Sequence, residues 1–197
     1  YCAPAAWDGA FFAGVFRRVV RLRVADGHAA WESQLGDADS DWLSSYSSPA
    51  VGNGYLAMGG VPGKGASLAV TTLADGKKAW NHPADGGLLG SPTIAGDRIL
   101  FCSRKSIFYC NRLKDGEPIW KVELGGKGDA AKWSATTPAV KLNGDGTGIV
   151  VAGSGDGEMS GIDLADGRVL WTHVSDATVF KVSPYRRDGR PLLSSPR

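Results

Sequence analysis

The stretch that decides the fold is GIDLADGRVLW, from Gly161 to Trp171, in which three residues separate an Asp-Gly pair from a tryptophan. The spacing occurs four times, at Asp26, Gly27 and Trp31; at Asp75, Gly76 and Trp80; at Asp115, Gly116 and Trp120; and at Asp166, Gly167 and Trp171. A second pattern, Ser/Thr-Pro, begins at Ser48, Ser91, Thr137 and Ser183, at intervals of 43, 46 and 46 residues. Repeats of this length indicate a stacked or radial architecture.

The residues of each repeat predict four short strands. In the fourth repeat the segments TPAVKL, GIVVAGS, EMSGIDL and RVLWTHV are separated by turn residues at 143–147, 155–156 and 166–167. The Asp-Gly and Gly-Asp pairs in these turns favour tight β-hairpins. Four antiparallel strands in about 45 residues, repeated along the chain, are typical of a β-propeller. We therefore predict an all-β fold, a β-propeller segment of four-stranded antiparallel blades.

The repeat spacing also predicts the blade boundaries. We expect a partial first blade over 10–35, whole blades over 47–84, 90–125 and 135–175, and the start of another over 181–195. The first blade is expected to lack its inner strand. The Asp-Gly pair is assigned to the turn between the third and fourth strands, because glycine tolerates positive φ. The tryptophan then lies on the outermost strand, where a large flat side chain fills the gap between diverging blades.

These repeats resemble the pyrroloquinoline quinone (PQQ) repeat family, the propellers of quinoprotein alcohol dehydrogenases and of the lipoprotein in the outer-membrane barrel assembly machinery. Gly161, Asp163, Asp166, Gly167 and Trp171 are similar to that family's tryptophan-docking motif, in which the indole packs on the neighbouring blade. Arg23, Thr72 and Arg112 stand at the place of Asp163 in the other repeats. The resemblance implies about four blades of a seven- or eight-bladed ring, and an extracytoplasmic location, periplasmic or secreted.

The resemblance also raises the question of enzyme activity. The dehydrogenases hold PQQ with a vicinal disulfide and a calcium ion bound by Glu and Asn, and they use a catalytic Asp. The three cysteines here, Cys2, Cys102 and Cys110, include no adjacent pair. We therefore expect no catalytic, cofactor-binding or metal-binding residues, and PQQ with Ca²⁺ only if the chain is part of a quinoprotein dehydrogenase. The sensor domain of a larger signalling protein is another alternative.

The connections between blades supply the candidate binding residues. Trp42 and Tyr46 lie in DSDWLSSYSSP, and Lys132 and Trp133 lie in GDAAKWSATTP. Rigid aromatic side chains offer a large contact area at a small entropic cost. We predict a non-catalytic scaffold that binds a protein or a glycan on the rim formed by these connections. The alternative is that both tryptophans pack inward.

The charge, the hydropathy and the histidine positions argue against nucleic-acid binding, a transmembrane helix and a histidine metal site. A net charge of +2 with only a small basic cluster does not favour nucleic acid. No apolar run approaches the roughly 18 residues of a transmembrane helix. The histidines, His28, His82 and His173, are too dispersed to meet at one metal and are expected at the surface.

Two further expectations concern the cysteines and the chain ends. A two-residue turn at Arg104-Lys105 would pair Cys102 with Ile107 and direct Cys110 to the other face, so no disulfide should join the two cysteines. We also expect an incomplete ring whose exposed end blades make the chain associate edge to edge. Alternatively, the strand after Pro184 completes the first blade and closes a four-bladed ring.

Overall fold

The chain folds into four antiparallel sheets of four strands each, in a computed structural model that describes residues 3–35, 46–61, 67–125, 134, 136–155 and 157–174. The first two blades comprise β1 (Ala5–Trp7), β2 (Ala10–Val15), β3 (Arg18–Arg23) and β4 (Ala29–Gln34), then β5 (Ala50–Gly52), β6 (Tyr55–Gly59), β7 (Leu68–Thr72) and β8 (Lys78–His82). The last two comprise β9 (Thr93–Ala95), β10 (Arg98–Cys102), β11 (Ile107–Arg112) and β12 (Pro118–Glu123), then β13 (Ala139–Leu142), β14 (Gly148–Gly153), β15 (Glu158–Asp163) and β16 (Val169–Val174). Within each sheet the strands pair in chain order, so every blade is a simple meander.

The blades succeed one another around an arc. The inner strand β1 contacts β5, β5 contacts β9, and β9 contacts β13. The second strands β6 and β10 are almost entirely buried, because a blade packs against each of their faces, whereas the outer strand β16 is exposed along its length. The sequence prediction of an all-β fold of four-stranded propeller blades is confirmed.

The hydrophobic core is divided among the interfaces between blades. One cluster joins Phe12 and Val19 of the first blade to Leu56 and Met58 of the second. The second and third blades share another, and the third and fourth share the cluster that contains Trp120. Burial of such side chains contributes roughly 1.5–3 kcal/mol each. Each blade is therefore stabilised chiefly by its neighbours, as in other repeat proteins.

The prediction of a partial first blade is wrong. Strand β1 is the inner strand of this blade, and it pairs with β2 so that Ala5 lies opposite Phe12 and Trp7 lies opposite Ala10. The sequence concealed it because the strand has only three residues and because Ala3 precedes Pro4 where later blades have Ser or Thr. Since β1 fills the inner position of this blade, a strand after Pro184 is not needed to complete it. The segment around Ser183 lies outside the described residues.

The predicted register of the cysteine hairpin is also wrong. Cys102 pairs with Phe108 and Leu100 pairs with Cys110, so both cysteines lie on the same face of the sheet. The turn contains one residue more than predicted, because Ser106 adopts a left-handed φ of 60°, as a three-residue hairpin loop requires. The two thiols are nevertheless free. Burial raises the pKa of the Cys110 thiol to about 11.

The prediction that His82 lies at the surface is wrong as well. Its ring lies 5.1 Å from both Phe101 and Tyr109, which stack on each other with centroids 5.0 Å apart. Its Nδ1 is 3.3 Å from the amide nitrogen of Asn111. Burial lowers the pKa of this imidazole. His82 therefore contributes to the interface between the second and third blades.

Candidate functional site

The repeated tryptophans connect each blade to the next. The indole nitrogens of Trp31, Trp80 and Trp120 donate hydrogen bonds to the carbonyls of Leu73, Leu113 and Leu164, at 3.1, 2.8 and 2.9 Å. Each indole also covers the glycine of the next Asp-Gly turn. A Cβ at Gly116 would lie 2.6 Å from the Trp80 ring, and one at Gly167 would lie 2.8 Å from Trp120. These glycines are required both for positive φ and for close approach of the indole.

The aspartates hold the turns on which the tryptophans dock. Four Oδ1 atoms accept a hydrogen bond from the backbone nitrogen two residues later, those of Asp26, Asp75, Asp115 and Asp166. In the first three blades the residue at the place of Asp163 donates to this aspartate: Arg23 to Asp26, Thr72 to Asp75 and Arg112 to Asp115. Asp163 itself accepts from Ala165. The motif thus tolerates a donor or an acceptor there, since each stabilises the turn locally.

The Ser/Thr-Pro pairs form a second connection between blades. The backbone nitrogen of Ala3 donates to Ser48 Oγ at 3.0 Å, Ser48 to Ser91 Oγ at 2.8 Å, and Ser91 to Thr137 Oγ1 at 3.1 Å. The sequence shows the repeated Ser/Thr-Pro pattern, but the hydrogen bonds that it forms between blades are visible only in the structure. The hydroxyl accepts from the preceding blade, and the proline that follows cannot donate to the sheet.

The arc has two rims, which we name by their loops. The connection rim carries the blade-to-blade connections and the turns between second and third strands. The Asp-Gly rim carries the turns between first and second and between third and fourth strands. Of the residues predicted to bind a partner, Tyr46 lies on the connection rim and is 51% exposed. The other three, Trp42, Lys132 and Trp133, lie outside the described residues.

A second aromatic residue on the connection rim was missed by sequence analysis. Phe16 lies in the two-residue turn between β2 and β3, because Val15 pairs directly with Arg18. Its side chain is 82% exposed, and its φ of 52° is one that Phe rarely adopts. Such turns favour Gly, Asn or Asp. The sequence VFRR, from Val15 to Arg18, places an aromatic residue in the turn, and this is the signal from which the exposed residue could have been predicted.

Buried hydroxyl groups hold the backbone beneath the connection rim. Ser47 Oγ accepts from the Gly59 nitrogen at 2.9 Å. Ser134 Oγ and Thr136 Oγ1 both donate to the carbonyl of Gly153, at 3.1 and 3.0 Å. A buried polar group that is hydrogen-bonded fixes one arrangement, because leaving it unpaired is costly. The segments that enter the second and fourth blades from this rim are therefore held in one arrangement.

The described residues show no assembled metal site and no spanning helix. Across the described ranges, no three His, Cys, Asp or Glu side chains converge in a way that could hold a metal ion. The same residues include no helix with the length and apolar character needed to cross a membrane.

Comparison with known proteins agrees with this geometry. A family model described as outer membrane protein assembly factor BamB matches residues 15–193. The chain belongs to this family. It is 25% identical to BamB of Yersinia pestis, with 84% of this chain and 42% of that protein aligned. It is also 25% identical to BamB of Salmonella typhimurium, with 98% and 47% aligned. The chain spans about half the length of these relatives.

Solved structures show the same fold. The crystal structure of BamB from Moraxella catarrhalis superposes with a TM-score of 0.69 at 17% identity, over 88% of this chain and 48% of that one. The quinohemoprotein alcohol dehydrogenase ADHIIG from Pseudomonas putida gives 0.72 at 17% identity, over 97% and 36%. At such identities the likeness establishes the propeller fold and says nothing about chemistry.

Proposed function

We propose that this chain is part of a non-catalytic propeller scaffold that serves outer-membrane protein assembly on the extracytoplasmic side, binding a polypeptide partner through its connection rim. The observation that carries the proposal is the exposure of two aromatic side chains, Phe16 and Tyr46, on that rim. Aromatic residues on a rigid backbone are the usual anchors of protein interfaces. The names of the BamB relatives, which describe assembly factors, support a protein rather than a glycan as the partner.

The geometry of Phe16 supports a binding role. Its left-handed φ costs about 1–3 kcal/mol, and such strain is often retained where function requires it. The turn is held from beneath, because the Leu35 nitrogen donates to the Arg17 carbonyl at 2.8 Å. The strained turn presents an aromatic ring outward on a fixed frame, which reduces the entropy lost on binding.

Site-specific photo-crosslinking in the host cell tests the proposal. Benzoylphenylalanine is placed at Phe16 or Tyr46 of the full-length protein, and as a control at Ile119, which is 42% exposed on the outer strand β12 and lies away from the connection rim. We expect polypeptide adducts from positions 16 and 46 and none from position 119. Adducts that contain only glycan would show that the partner is a glycan and not a protein. Equal crosslinking at all three positions would refute binding at the connection rim.

A cofactor test separates this scaffold from the dehydrogenase alternative. We propose that the protein acts without a bound cofactor. The full-length protein is titrated with PQQ and Ca²⁺, and dye-linked alcohol oxidation is measured. Absence of saturable binding and of turnover is expected, whereas saturable PQQ binding with turnover would assign the chain to a quinoprotein dehydrogenase.

A further inference from the structure

A groove separates the first and second blades on the Asp-Gly rim. Its volume is about 370 Å³, and Trp7, Asp8, Phe12, Arg21 and Leu73 line it. This volume lies at the lower end of the roughly 300–1,000 Å³ range of small-ligand sites. Phe12 is buried and forms the floor, while Trp7 is 49% exposed. The groove is thus large enough for one ring-sized group.

Two residues of the groove depart from the repeat. Trp7 ends the inner strand of its blade, where the next two blades have Gly52 and Ala95. Arg21 pairs with Trp31, where Val70 pairs with Trp80 in the second blade and Cys110 with Trp120 in the third. The second and third blades dock Trp80 and Trp120 without such residues. Packing between blades therefore does not explain why both departures line one groove.

The guanidinium of Arg21 retains N–H donors that can bind an anion. It contacts the Leu73 carbonyl at 3.5 Å, a long hydrogen bond. Neighbouring arginines on the same strand are paired, Arg18 with Glu32 at 3.0 Å and Arg23 with Asp26 at 2.8 Å. Among the described residues, none places a carboxylate within ion-pair distance of Arg21, although Asp8 lines the same groove. A half-buried guanidinium suits a carboxylate, which it can bind through two parallel hydrogen bonds.

We propose that this groove binds a carboxylate attached to a flat apolar ring, as found in the aromatic C-terminal residue of a peptide or in a small acylated aromatic amino acid. Arg21 binds the carboxylate, and the ring packs against the Trp7 indole above Phe12. The carboxylate of Asp8 accepts the N–H of the ligand's amide. The three groups recognise the three features that an acylated aromatic amino acid carries.

Titration with matched small probes tests this site in the full-length protein. The ligand is N-acetyl-L-phenylalanine, the amide of that compound lacks the carboxylate, and N-acetylglycine lacks the ring. Binding is followed by tryptophan fluorescence and confirmed by calorimetry. We expect saturable binding of N-acetyl-L-phenylalanine and at least a tenfold loss with each of the other two. A peptide ending in phenylalanine, with a free or amidated C-terminus, shows whether a chain end is preferred over the free compound.

Two variants and a matched control assign the binding to named residues. Arg21→Gln is expected to weaken binding at least tenfold, and Arg21→Lys, which keeps the charge without the planar fork, less than that. Arg18→Gln removes an arginine of the same strand that lies outside the groove and should bind like the wild type. Circular dichroism verifies that each variant is folded. Equal affinity for acid and amide, no saturable binding of any probe, or equal losses in Arg18→Gln and Arg21→Gln would overturn the proposal.

Discussion

Replacement of Trp120 by alanine tests how the blades are held together. Trp120 is 8% exposed and lies at the interface of the third and fourth blades. Its ring stacks on Phe108 with centroids 6.0 Å apart, and its indole nitrogen donates to the Leu164 carbonyl at 2.9 Å. Truncation of a buried tryptophan to alanine costs about 3–5 kcal/mol. About 1 kcal/mol of this belongs to the hydrogen bond, so Trp120→Phe should recover most of the packing but not that bond.

The measurement is equilibrium unfolding in urea, followed by far-ultraviolet circular dichroism because the substitution alters tryptophan fluorescence. Ile119→Ala is the matched control, since Ile119 precedes Trp120 on β12 and is 42% exposed. We expect the control to lose less than about 1 kcal/mol. If Trp120→Ala lowers the free energy of unfolding no more than Ile119→Ala, docking of the tryptophan does not stabilise the arc.

Other predictions follow from single positions. Gly116→Ala should lower the free energy of unfolding by about 1–3 kcal/mol more than Gly96→Ala, because both glycines have positive φ but only at Gly116 would a Cβ lie 2.6 Å from an indole; equal losses would disprove the clash. Stability should fall as the pH drops below about 6.5, since burial lowers the pKa of His82 in the folded state and the unfolded chain takes up the proton first; an unchanged slope in His82→Gln, measured by urea unfolding, would exclude this histidine. The native Cys110 thiol, whose pKa is raised to about 11, should be alkylated by iodoacetamide far more slowly at pH 8 than in the unfolded chain, as peptide mass spectrometry would show. The 197-residue chain should associate through its exposed outer strand β16, so Trp171→Lys should reduce the particle mass in light scattering; a monodisperse wild-type monomer would contradict this.

The fold could be predicted from sequence because its determinants are local and repeated. An Asp-Gly turn fixes its own backbone, and the tryptophan follows at a constant distance along the next strand. The inner strand β1 was missed because Ala3 cannot supply the hydroxyl that identifies later blades. The cysteine hairpin was misplaced because the left-handed φ of Ser106 adds a residue to the turn, and one residue reverses the face on which Cys110 lies.

The candidate sites were less accessible from sequence. The exposure of Phe16 depends on the pairing of Val15 with Arg18, which is a property of the register. The groove depends on side chains from two blades, since Trp7 and Arg21 face Leu73 across an interface. No pattern along the chain reports such a juxtaposition. Alignment of the four repeats does identify Trp7 and Arg21 as departures, once the first blade is known to be complete.

The most direct test of the proposed function is complementation in the host. A strain that lacks the gene receives the full-length wild type, the double variant Phe16→Ser with Tyr46→Ser, or Ile119→Ser as a control on the exposed outer strand β12, and the amount of folded barrel protein in the outer membrane is measured. The connection rim predicts that the double variant accumulates normally but fails to restore barrel protein, whereas the control restores it. Full restoration by the double variant would contradict a scaffold that works through this rim.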